Sequence, residues 1–469
     1  MSAAFLRAAV LIAAPARTQE TTKPDAPEWY HIGHCRIRAN RDRERRQERD
    51  QKVSANHAGA KSPLNIARRG SLKVIAGAFA GLMLPRLALA AAKRMPFDQW
   101  IDAFRAKALA HGITAETYTR VMSGVQPDTT GLEAIHNQPE FTIQLWQYLN
   151  RATSDWKIAA GRDKARQYAQ LLARIESDYG VEPAFMLGVW GIESAFGDPV
   201  VVKNHMRPVI PSLATLAWAE PRRRGYWESE LINALTIVQR GWSTPTDMVG
   251  SWAGAMGHTQ WMPEVWLHVG IDYDGDGKIS PYGPPDDALA STAKYFVERG
   301  KYQRGEHWGY EVHLPAHTAG GRSRPYAEWQ KLGVVRADGE PYPRPKAKAK
   351  PWVPVPGGPA FLIGPNFYAA KSYNPSTTYA LALVHLGDRC VDGEPFLQAF
   401  PGGERAPTLA EVQEIQRRLS ALGFDTGGAD GRIGSGTTLA VRNYQRKAGM
   451  EPADGYAGIA LLARLRQGS

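Results

Sequence analysis

Cysteine is almost missing from this 469-residue chain: Cys35 and Cys390 are the whole supply. A scaffold stapled by disulfides is therefore excluded, and the fold must be held by an apolar core. Apolar runs of membrane-spanning length, roughly 20 residues, are missing as well, so no membrane span is expected in the mature chain. Positive charge is scarce where a nucleic-acid binder would need it. The formal net charge is +11, yet residues 1–90 hold 16 Lys and Arg against 7 Asp and Glu, and the rest holds 41 against 39. The body is nearly neutral, and no nucleic-acid partner is expected. No internal repeat is found, and the length exceeds one ordinary domain.

The basic excess belongs to a leader. Ala67-Arg68-Arg69-Gly70-Ser71-Leu72-Lys73 is a twin-arginine pattern, followed by an apolar run from Val74 to Leu84 and an A-x-A site at Ala88-Leu89-Ala90. Export to the periplasm is expected, with residues 1–90 removed and the mature chain starting near Ala91. No Cys follows the apolar run, so no lipid attachment is expected. Residues 1–66 are long and charge-dense for a signal peptide. They read either as a disordered stretch or as sequence ahead of the true start.

From Pro96 to about Tyr302 the apolar spacing is helical. Phe97, Trp100, Ile101 and Phe104 fall on one face; Leu145, Trp146 and Leu149, then Leu171, Leu172 and Ile175, then Leu231, Leu235 and Val238, mark further helices. Phe97 and Trp100 read as core rather than as a ligand platform. From Glu311 to Pro359 that period is lost. Pro341-Tyr342-Pro343-Arg344-Pro345 leads into Lys346-Ala347-Lys348-Ala349-Lys350-Pro351, which reads as loops and short strands with a solvated basic segment. Helix resumes around Ser376 to Leu386. After Pro401-Gly402-Gly403, three short helices make a separate module: one through Val412, Ile415, Leu419 and Leu422, one from about Thr437 to Ala448, and one from about Ile459 to Leu465. The expected domains are a leader (1–90), a large domain (91–400) and a module (405–469).

The chemistry centres on one carboxylate. Glu193 stands near the end of the apolar run Pro183–Ile192. Burial disfavours a carboxylate's charge, and a carboxylic acid kept protonated near neutral pH is what glycosidic cleavage needs as general acid. The plain alternative is a helix-end Glu facing solvent or an Arg. Downstream, Gly250-Ser251-Trp252-Ala253-Gly254-Ala255-Met256-Gly257-His258-Thr259-Gln260-Trp261-Met262-Pro263 is dense in small residues, which let backbone approach a helix or a ligand closely. Ser251 and Gln260 are polar groups able to orient a sugar amide or hydroxyl; alternatively Ser251 caps a helix. Asp272, Asp274 and Asp276, with Gly277 at position six, form the first half of an EF-hand loop. Position twelve is Gly283 rather than Glu, so Asp286 or Asp287 must close the loop. A structural Ca2+ is expected here, the alternative being a metal-free acidic turn, and no cofactor for chemistry is expected.

The segments VWGIESAFG, PSLATLAW, RRRGYW, GSWAGAMGHTQWMP, DYDGDG and NFYAAKSYN, in that order, resemble the membrane-bound lytic murein transglycosylase B family over roughly Phe97 to Leu386. The resemblance implies a mainly α fold: a lysozyme-like core with extra helical lobes and a small β-containing insertion. It places Glu193 on the family's single acid/base. Ser251 and Gln260 fall on substrate-contacting positions, and Tyr148, Tyr373, Asn374 and Tyr379 on glycan-groove positions. The calcium loop maps to Asp272, Asp274, Asp276, Lys278 and Asp287, with Asp287 the closing ligand. His258, Thr259 and Trp261 depart from the commoner residues of the family. The tail is similar to the peptidoglycan-binding domain of wall enzymes, through Ile415-Gln416-Arg417-Arg418-Leu419, Leu422-Gly423-Phe424, Asp430-Gly431-Arg432-Ile433-Gly434, Tyr444-Gln445 and Asp454-Gly455.

What the resemblance implies is cleavage of the N-acetylmuramic acid–N-acetylglucosamine bond in peptidoglycan glycan strands by a monomer. Glu193 protonates the leaving oxygen, the substrate's acetamido group assists, and Glu193 then takes the proton of the 6-hydroxyl, which attacks to give a 1,6-anhydro sugar. Ordinary glycosidases use two carboxylates. The rivals are a lysozyme-like hydrolase and a non-catalytic wall-binding protein.

Overall fold

The computed structural model describes residues 95–129, 131–132, 143–199, 206–318 and 321–468. The twin-arginine pattern, the A-x-A site, Ala91 and Cys35 lie outside the described residues. Along the chain the elements are α1 (Phe97–Ala110), α2 (Ala115–Met122), α3 (Leu145–Ala152), α4 (Asp155–Gln167), α5 (Ala169–Tyr179), α6 (Pro183–Ser194), β1 (Arg207–Pro208), α7 (Val209–Ala219), α8 (Arg224–Gln239), β2 (Val249–Gly250), α9 (Pro263–His268) and α10 (Asp286–Glu298). There follow β3 (Gly309–His313), β4 (Arg324–Pro325), α11 (Tyr326–Lys331), β5 (Val335–Arg336), β6 (Lys348–Trp352), β7 (Ala360–Ile363), α12 (Pro365–Tyr373), α13 (Thr377–Cys390), α14 (Leu409–Ala421), α15 (Ser435–Lys447) and α16 (Ile459–Arg466). The chain is mainly α with a small sheet and a helical C-terminal module, as expected.

The helix α6 starts at Pro183, where the missing N–H costs nothing. It is apolar on every side and buried from Phe185 through Gly191, the pattern of a core helix rather than a surface one. Its main neighbour is α13, which Ser376 caps by accepting the Tyr379 N–H at 3.3 Å. The two helices touch backbone to backbone. A Cβ on Gly188 would lie 2.2 Å from the Leu383 carbonyl oxygen, and one on Gly387 would lie 2.1 Å from that of Ala184. These contacts make the pair antiparallel and bring the end of α6, with Glu193, beside the start of α13. Cys390 is a buried free thiol at the far end of α13.

A second core fills the lobe of α1, α2, α7 and α8. Trp100 stacks on Phe104 at 5.0 Å and Phe97 meets Trp218 edge-on at 5.4 Å, so both aromatics named at the start of α1 serve packing. The β1–β2 pair, Arg207 opposite Gly250, fixes where the glycine-rich segment leaves this lobe.

The β region is a five-stranded antiparallel sheet in the order β4-β6-β7-β3-β5. Its basic segment is a strand. In β6, Lys348 and Lys350 are exposed while Ala349 and Pro351 are buried, the two-residue alternation of a half-covered sheet.

The module packs α14, α15 and α16 around Ile415, Leu419, Val441 and Leu461. Thr408 and Glu411 form a capping box at its entry. It rests against α3 and α4. Gln147 Nε2 donates to Asp454 at 2.6 Å, Asn150 Nδ2 donates to the Tyr456 hydroxyl at 2.8 Å, and Trp146 meets Tyr456 edge-on at 5.0 Å. Arg432, in the module's Asp-Gly-Arg turn, pairs with Asp198 at 2.8 Å and lies over the Trp156 ring at 5.1 Å. No helix of the described residues is long and apolar enough to cross a membrane.

Candidate active site

Glu193 is half-buried on the last turn of α6. The chain then makes an unusual turn. Ala195, Phe196 and Gly197 have φ of 49°, 63° and 72°, three left-handed residues in a row. A non-glycine residue there costs on the order of 1 kcal/mol or more, so this turn is held by its surroundings. Three bonds do so: the Ala195 N–H donates to the Gly191 carbonyl at 3.2 Å, that of Phe196 to the Trp190 carbonyl at 3.2 Å, and that of Gly197 to Ser194 Oγ at 2.9 Å. Phe196 is buried, edge-on to Trp190 at 5.9 Å. Nothing in the residue types of Ser194-Ala195-Phe196 announces this conformation.

Tyrosines from distant elements surround the carboxylate. The Tyr379 hydroxyl, on the first turn of α13, donates to Glu193 Oε1. A phenol both donates and accepts, so Tyr379 can bond Glu193 whether it is a carboxylate or an acid. Burial first, then the charge of Glu193, pushes both Tyr379 and Tyr373 well above the ordinary tyrosine range, so both remain neutral. The Tyr373 hydroxyl donates to the Thr259 carbonyl. Tyr148, on α3, packs against the same core and acts electrostatically on Tyr379. Asn374 sits at the end of α12, where its Oδ1 accepts the Ser376 N–H at 3.0 Å and shapes the start of α13. The structure thus brings Tyr373 and Tyr379 to Glu193 and Tyr148 to Tyr379, while Asn374 shapes the turn that leads into α13.

The glycine-rich segment folds on itself through bridges from Met256 to Gly250 and to Trp261. Ser251 caps no helix. Its Oγ accepts the N–H groups of Ala253 at 3.4 Å and Ala255 at 3.2 Å, a tight turn. Gln260 has a left-handed φ of 56°, and its Nε2 donates to the Gly257 carbonyl at 2.9 Å. Among the described residues the Ser251 hydroxyl proton and Gln260 Oε1 have no partner, which leaves one donor and one acceptor for a ligand. Gly257 is obligatory: a Cβ there would lie 2.0 Å from the Pro281 carbonyl oxygen. The unusual residues of this segment are structural. Thr259 is fully buried and accepts from Thr292 Oγ1 at 2.8 Å, and Trp261 Nε1 donates to the same Thr292 at 3.1 Å.

The acidic loop is formed as its spacing predicts. One oxygen from each of Asp272, Asp274 and Asp276 lies within 4.8 Å of the others, all three exposed. Asp272 accepts the N–H groups of Gly275 at 2.8 Å and Gly277 at 2.9 Å, Asp274 that of Asp276 at 3.1 Å, and Asp276 that of Lys278 at 2.8 Å. This converging hard-oxygen set, with the Lys278 carbonyl at the seventh position, fits a calcium ion. Asp287 stands outside that cluster. It is buried at the start of α10, and its two oxygens accept the N–H groups of Tyr273 at 2.7 Å and Ser280 at 2.9 Å. Burial pushes its carboxyl up. It acts first as a staple between the two ends of the loop, a role that sequence spacing did not reveal.

Burial also pushes two further carboxyls up: Glu230, to about 7, and Glu182. Glu230 accepts the Glu264 N–H at 3.0 Å at the head of α9, and Glu182 is the N-cap residue of α6. A raised pKa alone therefore does not identify the working acid; the aromatic and glycine-rich surroundings do.

A lysozyme-like helical core that holds one carboxylate among tyrosines, beside an acidic loop and a separate three-helix module, defines a glycan-cleaving wall protein. Residues 96–388 match the transglycosylase SLT domain, and residues 408–465 a putative peptidoglycan binding domain. The chain belongs to the lytic transglycosylase family, lyases that act on peptidoglycan. Membrane-bound lytic murein transglycosylase B of Escherichia coli is 32% identical over 227 residues, which cover 47% of this chain and 60% of that relative. SltB3 of Pseudomonas aeruginosa, solved with NAG-anhNAM-pentapeptide, is 40% identical with a TM-score of 0.61, covering 79% of this chain and 100% of that one. Escherichia coli SLT35, solved with calcium, is 26% identical with a TM-score of 0.53, covering 64% and 94%.

Proposed function

We propose that this chain cleaves the β-1,4 bond between N-acetylmuramic acid and N-acetylglucosamine and leaves 1,6-anhydro ends, with Glu193 as acid and then base. The observation that carries this reading is the Tyr379–Glu193 hydrogen bond, which joins the start of α13 to the end of α6 and holds the carboxylate where Tyr373 and Tyr148 also converge. The protonated carboxyl gives its proton to the leaving oxygen. Tyr379 can donate to the carboxylate so formed, and the same carboxylate then takes the 6-hydroxyl proton as that oxygen closes on the anomeric carbon. Ser251 and Gln260 would orient the acetamido group. The anhydro sugar in the SltB3 complex supports this product. Mass spectrometry of muropeptides from digested sacculi tests it: anhydro ends lack one water, and reducing ends alone would make the protein a hydrolase.

Work in the periplasm follows from the leader pattern and the wall substrate. We also assign the acidic loop a structural calcium that Asp272, Asp274, Asp276 and the Lys278 carbonyl would hold, with Asp287 stapling the two ends of the loop; the ion would supply charge compensation there. Calcium at about 100 times its Kd should add about 2.7 kcal/mol of apparent stability and raise the melting temperature. Asp276→Ala should abolish most of that rise; equal melting in calcium and chelator would reduce the loop to an acidic turn.

The module holds the enzyme on the wall and raises the local concentration of the groove at the polymer. Truncation before Pro407 should weaken sacculus pull-down strongly. Turnover of short soluble glycans should fall much less than pull-down does, because the contacts the cut removes are those of Gln147, Asn150, Trp146, Trp156 and Asp198 rather than those of Glu193 and Tyr379. Equal loss of both activities would make the module part of the catalytic fold.

A further inference from the structure

His258 joins the helix that carries Glu193 to the acidic loop. Two bonds run to α6. Trp190 Nε1 donates to His258 Nδ1 at 3.1 Å, and Ser194 Oγ donates to the His258 carbonyl at 2.6 Å. Trp190 and Ser194 bracket Glu193 on its own last turn. Two bonds run to the loop. The His258 N–H donates to the Pro281 carbonyl at 3.0 Å, and Nε2 lies 2.7 Å from the Gly283 carbonyl oxygen.

These partners allow one protonation state. The indole N–H can only donate, so Nδ1 must be the bare acceptor, and the proton sits on Nε2, where it donates to Gly283. Burial, with the nearby Lys164 ammonium, pushes His258 down and favours this neutral form. The ring is also wedged in place. It meets Trp190 edge-on at 5.6 Å, and a Cβ on Gly197 would come within 2.6 Å of it, so the left-handed turn after Glu193 closes directly over the imidazole.

The stretch that His258 grips is tied to the loop's closing staple. The Ser280 N–H donates to Asp287, Ser280 Oγ and Tyr282 bond each other at 3.1 Å, and the Tyr282 hydroxyl donates to the Val249 carbonyl at 2.6 Å, two residues before Ser251. Residues 280–283 are therefore tied to Asp287 on one side and to the glycine-rich segment on the other. Asp272, Asp274 and Asp276, which would hold a cation, belong to the same loop.

We propose that His258 is a positioning residue that transmits the state of the 272–287 loop to the turn holding Glu193, so that a divalent cation in the loop aligns the acid/base. This rests on the reading of Glu193 and of the loop given above. The prediction is specific to the ring: His258→Phe keeps an aromatic ring and both main-chain bonds but loses both ring bonds, while His258→Asn keeps an acceptor near the Nδ1 position and loses the reach to Gly283.

The test combines three readouts on the full chain. The Trp190 indole N–H resonance, identified by its loss in Trp190→Phe, should shift on calcium addition in the wild type, with the midpoint of the calcium-induced melting shift. In His258→Phe and His258→Asn the melting shift should persist and the indole shift should vanish. Calcium should raise wild-type kcat by up to about tenfold with KM within twofold, since small misplacements of a catalytic group act on the chemical step; neither variant should show that gain. A melting shift with an unmoved indole signal in the wild type would overturn the coupling, as would a full calcium response in both variants. No melting shift at all would overturn it through the loop, whereas an active Glu193→Gln enzyme would instead overturn the reading of the site.

Discussion

Glu193→Gln is expected to release almost no anhydro-muropeptides while remaining folded and bound to sacculi. The amide keeps the size of the side chain, and its carbonyl can still accept from the Tyr379 hydroxyl, so the contact between α6 and α13 survives. It can neither give a proton to the leaving oxygen nor take one from the 6-hydroxyl. General acid–base help is worth about 10²–10⁴-fold, and one group supplies both halves here, so the loss should reach the upper end or beyond. Product mass spectrometry, with circular dichroism and pull-down as controls, checks it. Near-normal release of anhydro products by the folded variant would remove Glu193 from the mechanism.

A large loss of stability is expected from Gly188→Ala. The added Cβ would lie 2.2 Å from a backbone carbonyl of α13, which no rotamer change can relieve. Overpacking a core costs about 1–3 kcal/mol, and a backbone-to-backbone clash belongs at the top of that range or above it. Because α6 and α13 carry Glu193 and Tyr379, activity should fall along with stability. Gly225→Ala on α8 is the matched control. A Cβ there meets nothing within 4 Å, and its φ is not left-handed; in the first turn of the helix the change should be neutral or stabilise by less than about 1 kcal/mol. Denaturant melts of both variants test the contrast; equal stability would show that the two helices can separate at no cost.

The acidic loop illustrates how far local pattern reaches. Asp272, Asp274 and Asp276 converge as their spacing predicts, because a loop of alternating carboxylates and glycines closes through its own N–H groups. The helix of Phe97 and Trp100 and the three helices of the module follow from apolar periods within one element. The basic stretch at Lys346–Pro351 reads as a solvated segment until its alternation meets β7; it is then a strand whose lysines face outward. The polar helix α4, with only Ile158 and Gly161 buried, has too weak a period to be seen in advance.

By itself the sequence determined the domain order, the mainly helical composition, the acidic loop and the candidacy of Glu193, since each depends on residues close together in the chain. Tertiary structure alone decided which tyrosine holds that carboxylate, because Tyr379 is 186 positions away. It also decided the left-handed run of Ala195 and Phe196, the staple role of Asp287 and the bridge made by His258. Those features exist only where separate elements press together: a strained φ, a fixed tautomer and a docked module are stabilised by partners that no local spacing specifies.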